Sequence, residues 1–319
     1  MQGWARKRKR VLILCCLFFV GTQISHPPSA LKGPDYSAAR GDRSVRQTPL
    51  PLQVQLQEEG PGGSGLPETT RFWWEQDPAF QRLCLKNRTL VRLVAFRIGT
   101  DDATPAERHN VGVAVALIKG QVVPAGIVFS ANAALGPRTG DRNFEKGLTY
   151  FGAEQIQTYG GGICRLVSAL YNGAILANLE VIERWPHSMP VSYVPPGQDA
   201  TIATYKDLKF RNSTTAPLVI WAEYKESTLY IAFYGREKPP KVTWHHEILA
   251  RWPHTTEYRP NPRLQPGEER VISPGADGLR VRSWVTVEEP DGRRYHKRLG
   301  VDVYYPKRQV VEVNPLTFR

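Results

Sequence analysis

The sequence predicts an α+β protein in which an antiparallel sheet is served by a central helix that begins at a cysteine, with a small all-β module after it. An apolar stripe at helical spacing follows directly on Gly160-Gly161-Gly162-Ile163-Cys164: Leu166, Val167, Leu170, Ala174, Ile175 and Leu179 recur three and four apart. Runs that alternate or stay apolar over a few residues, bounded by turn residues, lie on both sides of it and read as strands. From about residue 236 onward only strand periodicity is found. With 319 residues and 41% hydrophobic content, the chain can bury one large core or two modest ones.

In chain order, residues 1–24 read as an export signal. Arg6-Lys7-Arg8-Lys9-Arg10 is a positive n-region and Val11 to Val20 an apolar h-region. The run is short beside the roughly 20 residues of a bilayer-crossing helix, although Gly21 to Ile24 extends it. The segment is therefore either an uncleaved anchor or a signal peptide cut near Ala30. Its basic flank keeps the N-terminus in the cytoplasm and sends the rest out. The expected location is the cell membrane, single-pass with the C-terminal part outside, or secreted after cleavage. Without those five bases the formal net charge of +12 falls to +7, a surplus that suits an anionic wall or lipid surface. Export argues against nucleic acid as a partner.

Residues 25–70 are rich in Pro, Gly, Ser and Gln, as in Pro61-Gly62-Gly63-Ser64-Gly65, and read as a disordered tether. Residues 71–90 form a helical lead-in whose Phe72-Trp73-Trp74 patch is expected to pack on the main domain. That domain spans 91–235. Val91 to Ile98 reads as a strand, His109 to Lys119 as a helix, and Val122 to Ser130 as extended chain around Pro124-Ala125-Gly126. Glycines and prolines after Leu135 mark loops. The cysteine-led helix covers about Ile163 to Leu179, and Leu208 to Asn212, Leu218 to Tyr224 and Leu229 to Gly235 suggest an antiparallel meander. A composition shift at Gly235 to Pro240 opens the module 236–319. Its strands are Glu268 to Ile272, Leu279 to Glu288, Tyr295 to Val303 and Gln309 to Val313, the middle two joined through Pro290-Asp291-Gly292 as a hairpin. No internal repeat, phosphate loop or dinucleotide fingerprint is present.

The chemistry centres on Cys164. In the first turn of a helix, free N–H groups and the positive dipole end favour thiolate and can hold an oxyanion. The three glycines before it let backbone approach a ligand closely. The alternative is a structural cysteine behind a tightly packed turn. Cys15 and Cys16 lie in the apolar segment, which leaves Cys84 and Cys164 either to pair or to stay free. An acyl-transferring cysteine needs a proton partner. Among His26, His109, His187, His245, His246, His254 and His296, the best placed is His187, in the Pro-stiffened run Trp185-Pro186-His187-Ser188-Met189-Pro190. Asp199 or Asp207 would orient its far nitrogen, and spacing does not choose between them. There is no Cys-x-x-Cys or His-Glu-x-x-His, and His245-His246 with His254 is only a loose cluster, so neither metal nor cofactor is expected.

Four blocks of residues resemble the successive signatures of the VanW domain family: Pro124 to Asn132, Gly136-Pro137-Arg138-Thr139, Gly160 to Cys164, and Pro186 to Thr201. With Asp207 to Asn212 they cover about residues 92 to 235, in the family's order and spacing, and the tail is similar to G5-type β modules. The family is named for its occurrence with vancomycin-resistance genes, and most members have no assigned activity. Some are reported as L,D-transpeptidases acting through the cysteine of the Gly-Gly-Ile-Cys block. The resemblance thus implies that Cys164 attacks the diamino-acid carbonyl of a peptidoglycan stem tetrapeptide and expels D-alanine, after which an amine or water resolves the thioester. His187 and Asp199 complete the candidate catalytic set. Gly160, Gly161, Gly162, Arg165, Ser168 and Tyr193 are the candidate oxyanion or substrate contacts. Arg165 departs from the glutamine usual after the cysteine. The other reading is a non-catalytic envelope module that binds peptidoglycan or a partner protein.

Overall fold

The computed structural model describes residues 65–151 and 154–318, all within one compact unit. The export signal 1–24, with Cys15 and Cys16, and the tether as far as Ser64 lie outside the described residues. Among the described residues no helix is long and apolar enough to cross a membrane.

The lead-in contains α1 (Pro78–Asn87), which starts where the Asp77 carboxylate accepts the Ala79 N–H at 2.7 Å with proline as its first residue. After β1 (Val91–Gly99), α2 runs Pro105–Ile118 and so begins four residues before the expected His109. The reason is a capping box: Thr104 Oγ1 accepts the Glu107 N–H and the Glu107 carboxylate accepts the Thr104 N–H. Next come β2 (Gln121–Val123) and β3 (Val128–Ser130), either side of a turn at Gly126, and the short α3 (Ala131–Leu135). Where the sequence predicts only loops, β4 (Lys146–Phe151) and β5 (Glu154–Tyr159) form an antiparallel hairpin.

Helix α4 is Cys164–Leu176, buried from Arg165 to Ile175. A helix buried on every side runs through a core rather than over it. It stops three residues before the expected Leu179 because Asn178 takes the left-handed conformation, at φ 55°. Then follow β6 (Glu180–Glu183), β7 (Lys209–Arg211), β8 (Leu218–Lys225) and β9 (Thr228–Gly235).

The main sheet is antiparallel in the order β1-β9-β8-β2. Helices α2 and α4 cover one face and share the largest core cluster with Phe96, Ile98, Leu218, Ile220, Ile231 and Phe233. Phe72, Trp74, Phe80 and Cys84 of the lead-in cover the other, against Ala95, Val219, Trp221 and Tyr234. Trp73 stays largely exposed. The expected meander holds only for β8 and β9, since β7 joins β3 and β6 in a separate sheet.

The C-terminal module is all β. Strands β10 (Lys241–Trp252), β13 (Gly278–Glu288) and β14 (Arg294–Tyr304) make one antiparallel sheet, and β11 (Thr256–Pro260), β12 (Glu269–Ser273) and β15 (Gln309–Val313) make another, with β11 parallel to β15. Val285 and Val287 of β13 belong to the main core cluster, and Val242 and Trp244 of β10 pack against it.

Candidate active site at the start of helix α4

A turn over Gly160–Ile163 sets the position of Cys164. It carries positive φ at Gly160 (80°) and Gly162 (95°), a region side chains disfavour. A Cβ on Gly161 would fall 2.2 Å from the Gly147 carbonyl carbon, and one on Gly162 would fall 2.6 Å from Glu107 Cβ. The close approach that these glycines permit is therefore to β4 and α2. From α2 the fully buried Asn110 locks it, its side-chain amide donating to Glu145 and Gly161 carbonyls at 3.0 and 2.9 Å. The turn also continues the helical bonding backward. The N–H groups of Arg165, Leu166 and Val167 are taken by Gly162 and Ile163 carbonyls. Of the first turn, only the Cys164 N–H has no backbone acceptor among the described residues.

Cys164 is half-buried and, like Cys84, free of any disulfide. Its sulfur lies 3.3 Å from Thr201 Oγ1, and the His187 imidazole and the Ile202 N–H are near enough to act on its ionisation. Burial pushes the thiol up, but His187, with Thr201 and Ile202, outweighs it and leaves Cys164 below its ordinary range. His187 is buried and would lose its proton to burial alone. The Asp199 carboxylate and the neighbouring thiolate reverse this and push it up to about 9. Asp199 is fully buried, which raises a carboxyl, yet His187 and the Arg184 guanidinium bring it down to about 2. The pattern is that of a thiolate beside an imidazolium, with a carboxylate behind.

Asp199 Oδ2 accepts both the His187 backbone N–H and Nδ1, each at 2.7 Å, so Nε2 is the ring nitrogen left for the thiol and for the Tyr193 hydroxyl 3.4 Å away. The other oxygen, Oδ1, accepts from Arg184 Nη2 at 3.0 Å and from the Tyr304 hydroxyl at 2.5 Å. Asp207 serves elsewhere, accepting from Ser130 Oγ and the Asn132 N–H at the start of α3.

Two of the candidate substrate contacts are engaged within the fold. Arg165 is 7% exposed; it donates to the Gly99 carbonyl at 3.1 Å, pairs with Asp102 at 2.8 Å and covers the Tyr193 ring at 4.4 Å. Ser168 is fully buried, and its hydroxyl both accepts the Ala200 N–H and donates to the Ala200 carbonyl. With Asn172, which donates to the Gln198 carbonyl at 2.7 Å, it ties the Asp199 loop to α4. Tyr193 faces the imidazole. Sequence reasoning missed Asn110, Arg184, Thr201 and Tyr304; a buried-type polar residue inside the apolar α2 stripe was a signal for the first, and nothing local pointed to the last.

Of the remaining histidines, His245 and His296 share the Thr286 hydroxyl, at 2.9 and 3.1 Å. His245 stacks on Trp284 and bonds Thr286, while His254 bonds Asp277. Among the described residues no three or more His, Cys, Asp or Glu side chains stand together as metal ligands. A cavity of about 750 Å³ lined by Arg108, His109, Val113 and Tyr224 shares no residue with the Cys164 cluster.

The family model described as VanW like protein matches residues 106–234, and that of the G5 domain matches residues 246–315. Uncharacterized protein YoaR of Bacillus subtilis (strain 168) is 30% identical over 138 residues, which are 43% of this chain and 46% of that protein. The matched segment thus spans about half the length of that relative. The crystal structure of HP0197-G5 is similar at 18% identity over 23% of this chain and 99% of its own, with a TM-score of 0.14. The IgA1 protease G5 domain structure is similar at 20% identity over 25% of this chain and 96% of its own, with a TM-score of 0.15. The chain therefore carries a VanW-like domain, which holds Cys164, His187 and Asp199, followed by a G5 domain.

Proposed function

We propose that this cell-envelope protein is a cysteine acyl-transferase of peptidoglycan, an L,D-transpeptidase in type, working through a thioester on Cys164. The observation that carries the reading is the set of contacts linking Cys164, His187 and Asp199, with the thiol held low and the imidazole high. A structural cysteine has no use for a histidine beside it whose far nitrogen is held by a buried carboxylate.

In the ground state the sulfur is thiolate and His187 is protonated. The thiolate attacks the carbonyl of the diamino acid in a tetrapeptide stem, and electrons move onto the carbonyl oxygen. The Cys164 N–H is the donor of this turn placed to meet that oxygen, with the dipole of α4 behind it. Collapse breaks the amide, His187 Nε2 gives its proton to the departing amine, and D-alanine leaves. The neutral imidazole then takes a proton from an incoming stem amine, or from water, as that group attacks the thioester and releases Cys164. Asp199 fixes the tautomer and orientation of His187 throughout. Tyr193, beside Nε2, is the candidate substrate contact. Attachment to the membrane through residues 1–24 would keep this domain at the wall, where a G5 module adds contact with envelope components.

The test is mass spectrometry of the protein incubated with tetrapeptide muropeptides. Wild type is expected to release D-alanine and gain the mass of an acyl stem on Cys164, with crosslinked or trimmed products, and Cys164→Ala to do neither. Equal product from Cys164→Ala would refute the mechanism. Binding to isolated peptidoglycan without turnover in either protein would favour the non-catalytic module, which the charge surplus outside residues 6–10 also suits.

A further inference from the structure

We infer that the G5 module is a working part of the active site in the VanW-like domain, with Tyr304 on β14 as the positioning residue for Asp199. The inference rests on the proposed role of Cys164 and His187 and extends it to a residue more than a hundred positions further along the chain.

The contacts across the seam converge on the loop that carries Asp199. Tyr304 is fully buried; its hydroxyl donates to Asp199 Oδ1 at 2.5 Å and accepts the Gly197 N–H at 2.7 Å. A single oxygen therefore fixes both the carboxylate and the backbone two residues before it. Gly197 has φ 91°, and a Cβ there would fall 2.2 Å from Ser283 Oγ of β13, so the loop lies directly on the module. Arg184 bridges the same seam: Nη2 meets Asp199 Oδ1 at 3.0 Å, Nε meets the Asp199 carbonyl at 2.7 Å, and Nη1 meets Asp302 Oδ2 of β14 at 2.6 Å. Just beyond β14, the Tyr305 N–H donates to the Ser188 carbonyl at 2.7 Å, beside His187 itself. The aspartate and the histidine are thus both anchored from the module.

Within the VanW-like domain Asp199 Oδ1 has Arg184 as its partner, and that guanidinium is shared with Asp302. Without the phenol the Gly197 N–H loses its acceptor, and the Asp199 turn has less to hold it against His187 Nδ1. Imidazolium that is less well paired stabilises the thiolate less. Tyr304 touches neither the sulfur nor the substrate carbonyl, so its effect must pass through Asp199.

The experiment compares full-length wild type with Tyr304→Phe, which keeps the ring and removes the hydroxyl. Iodoacetamide alkylation of Cys164 is followed against pH by peptide mass mapping, with melting curves as control. The expected result is a rise in the alkylation midpoint toward that of an ordinary thiol. At a fixed pH below the midpoint the rate should drop about tenfold for every pH unit by which the midpoint rises, and Tyr304→Phe should still melt cooperatively. A profile superimposable on wild type overturns the inference. Failure of the variant to fold also overturns it, because the hydroxyl would then hold the module together rather than the aspartate. Alkylation reads the thiolate and not acyl transfer. Unchanged turnover in Cys164→Ala would therefore defeat the proposed function alone, and a flat Tyr304→Phe profile would defeat this inference alone.

Discussion

Cys84 and Cys164 are free thiols of one chain, and what surrounds each decides its chemistry. Cys84 lies buried in one cluster with Trp221 and Tyr234, where burial pushes its thiol up and the neighbouring Thr89 is too small a counterweight. Cys164 is half-buried, and the His187 imidazole beside it lowers its thiol. Brief alkylation near neutral pH should therefore label Cys164 and leave Cys84 unmodified, as read by peptide mapping. The charged partners also tie stability to pH. Asp199, brought down to about 2, contributes stability that is complete above its unfolded value and is lost as pH falls toward 2. His187, raised to about 9, contributes stability that is complete below its unfolded value near 6.5 and is lost as pH rises through 9. Melting temperature should peak between those limits, with the pair adding about 2 kcal/mol, and Asp199→Asn should flatten the acid limb of the curve. At this scale the sequence is readable in part. Cys164 and His187 stand out by residue type and local context, whereas Asp199 and Asp207 are equivalent on spacing. What separates them is the path of the loop, which leads one to the imidazole and the other to the start of α3.

The turn that presents Cys164 depends on glycine for reasons that only the fold reveals. Three glycines in a row signal a close approach, but the approaching partner, Gly147, sits on a hairpin that the sequence does not announce. Gly161→Ala sets a methyl against that backbone, which cannot give way as a side chain could. It should cost about 3 kcal/mol or more, at the upper end for overpacking, as read by urea denaturation. Gly126→Ala, at φ 77° with nothing near its Cβ, should cost only the about 1–2 kcal/mol of a left-handed backbone. If the two variants are equally stable, close packing is not what demands glycine in this turn. The long, periodic elements are the legible ones: β1, α4, β8, β9 and the β13–β14 hairpin. Strand β10 is not, because His245, His246 and Glu247 interrupt its alternation and the register slips between Ile248 and Ala250. The early start of α2 is legible in principle from Thr104, Pro105 and Glu107, the residues of its capping box.

Across the whole molecule, the VanW-like and G5 parts share one core rather than touching at a linker. Val285 and Val287 sit in the main cluster, and the Trp244 ring meets Tyr171 of α4 edge-on at 5.7 Å. Calorimetry of the full chain is expected to show one cooperative transition for the two parts together. Trp244→Ala should lower its stability by about 3 kcal/mol without separating them. The composition shift at Gly235 to Pro240 says nothing of the seam, where contacts such as Asp199 to Tyr304 are made between residues far apart in sequence. The proposed chemistry requires an ionised sulfur, and the most direct measurement of that state is the ultraviolet absorbance of the thiolate. The difference between wild type and Cys164→Ser would be titrated with pH, and the titration repeated in a His187→Ala background. Wild type should show a step well below the roughly 8.5 of an ordinary thiol, displaced upward when the imidazole is removed. A step at or above the ordinary value in both backgrounds would contradict a thiolate held by His187.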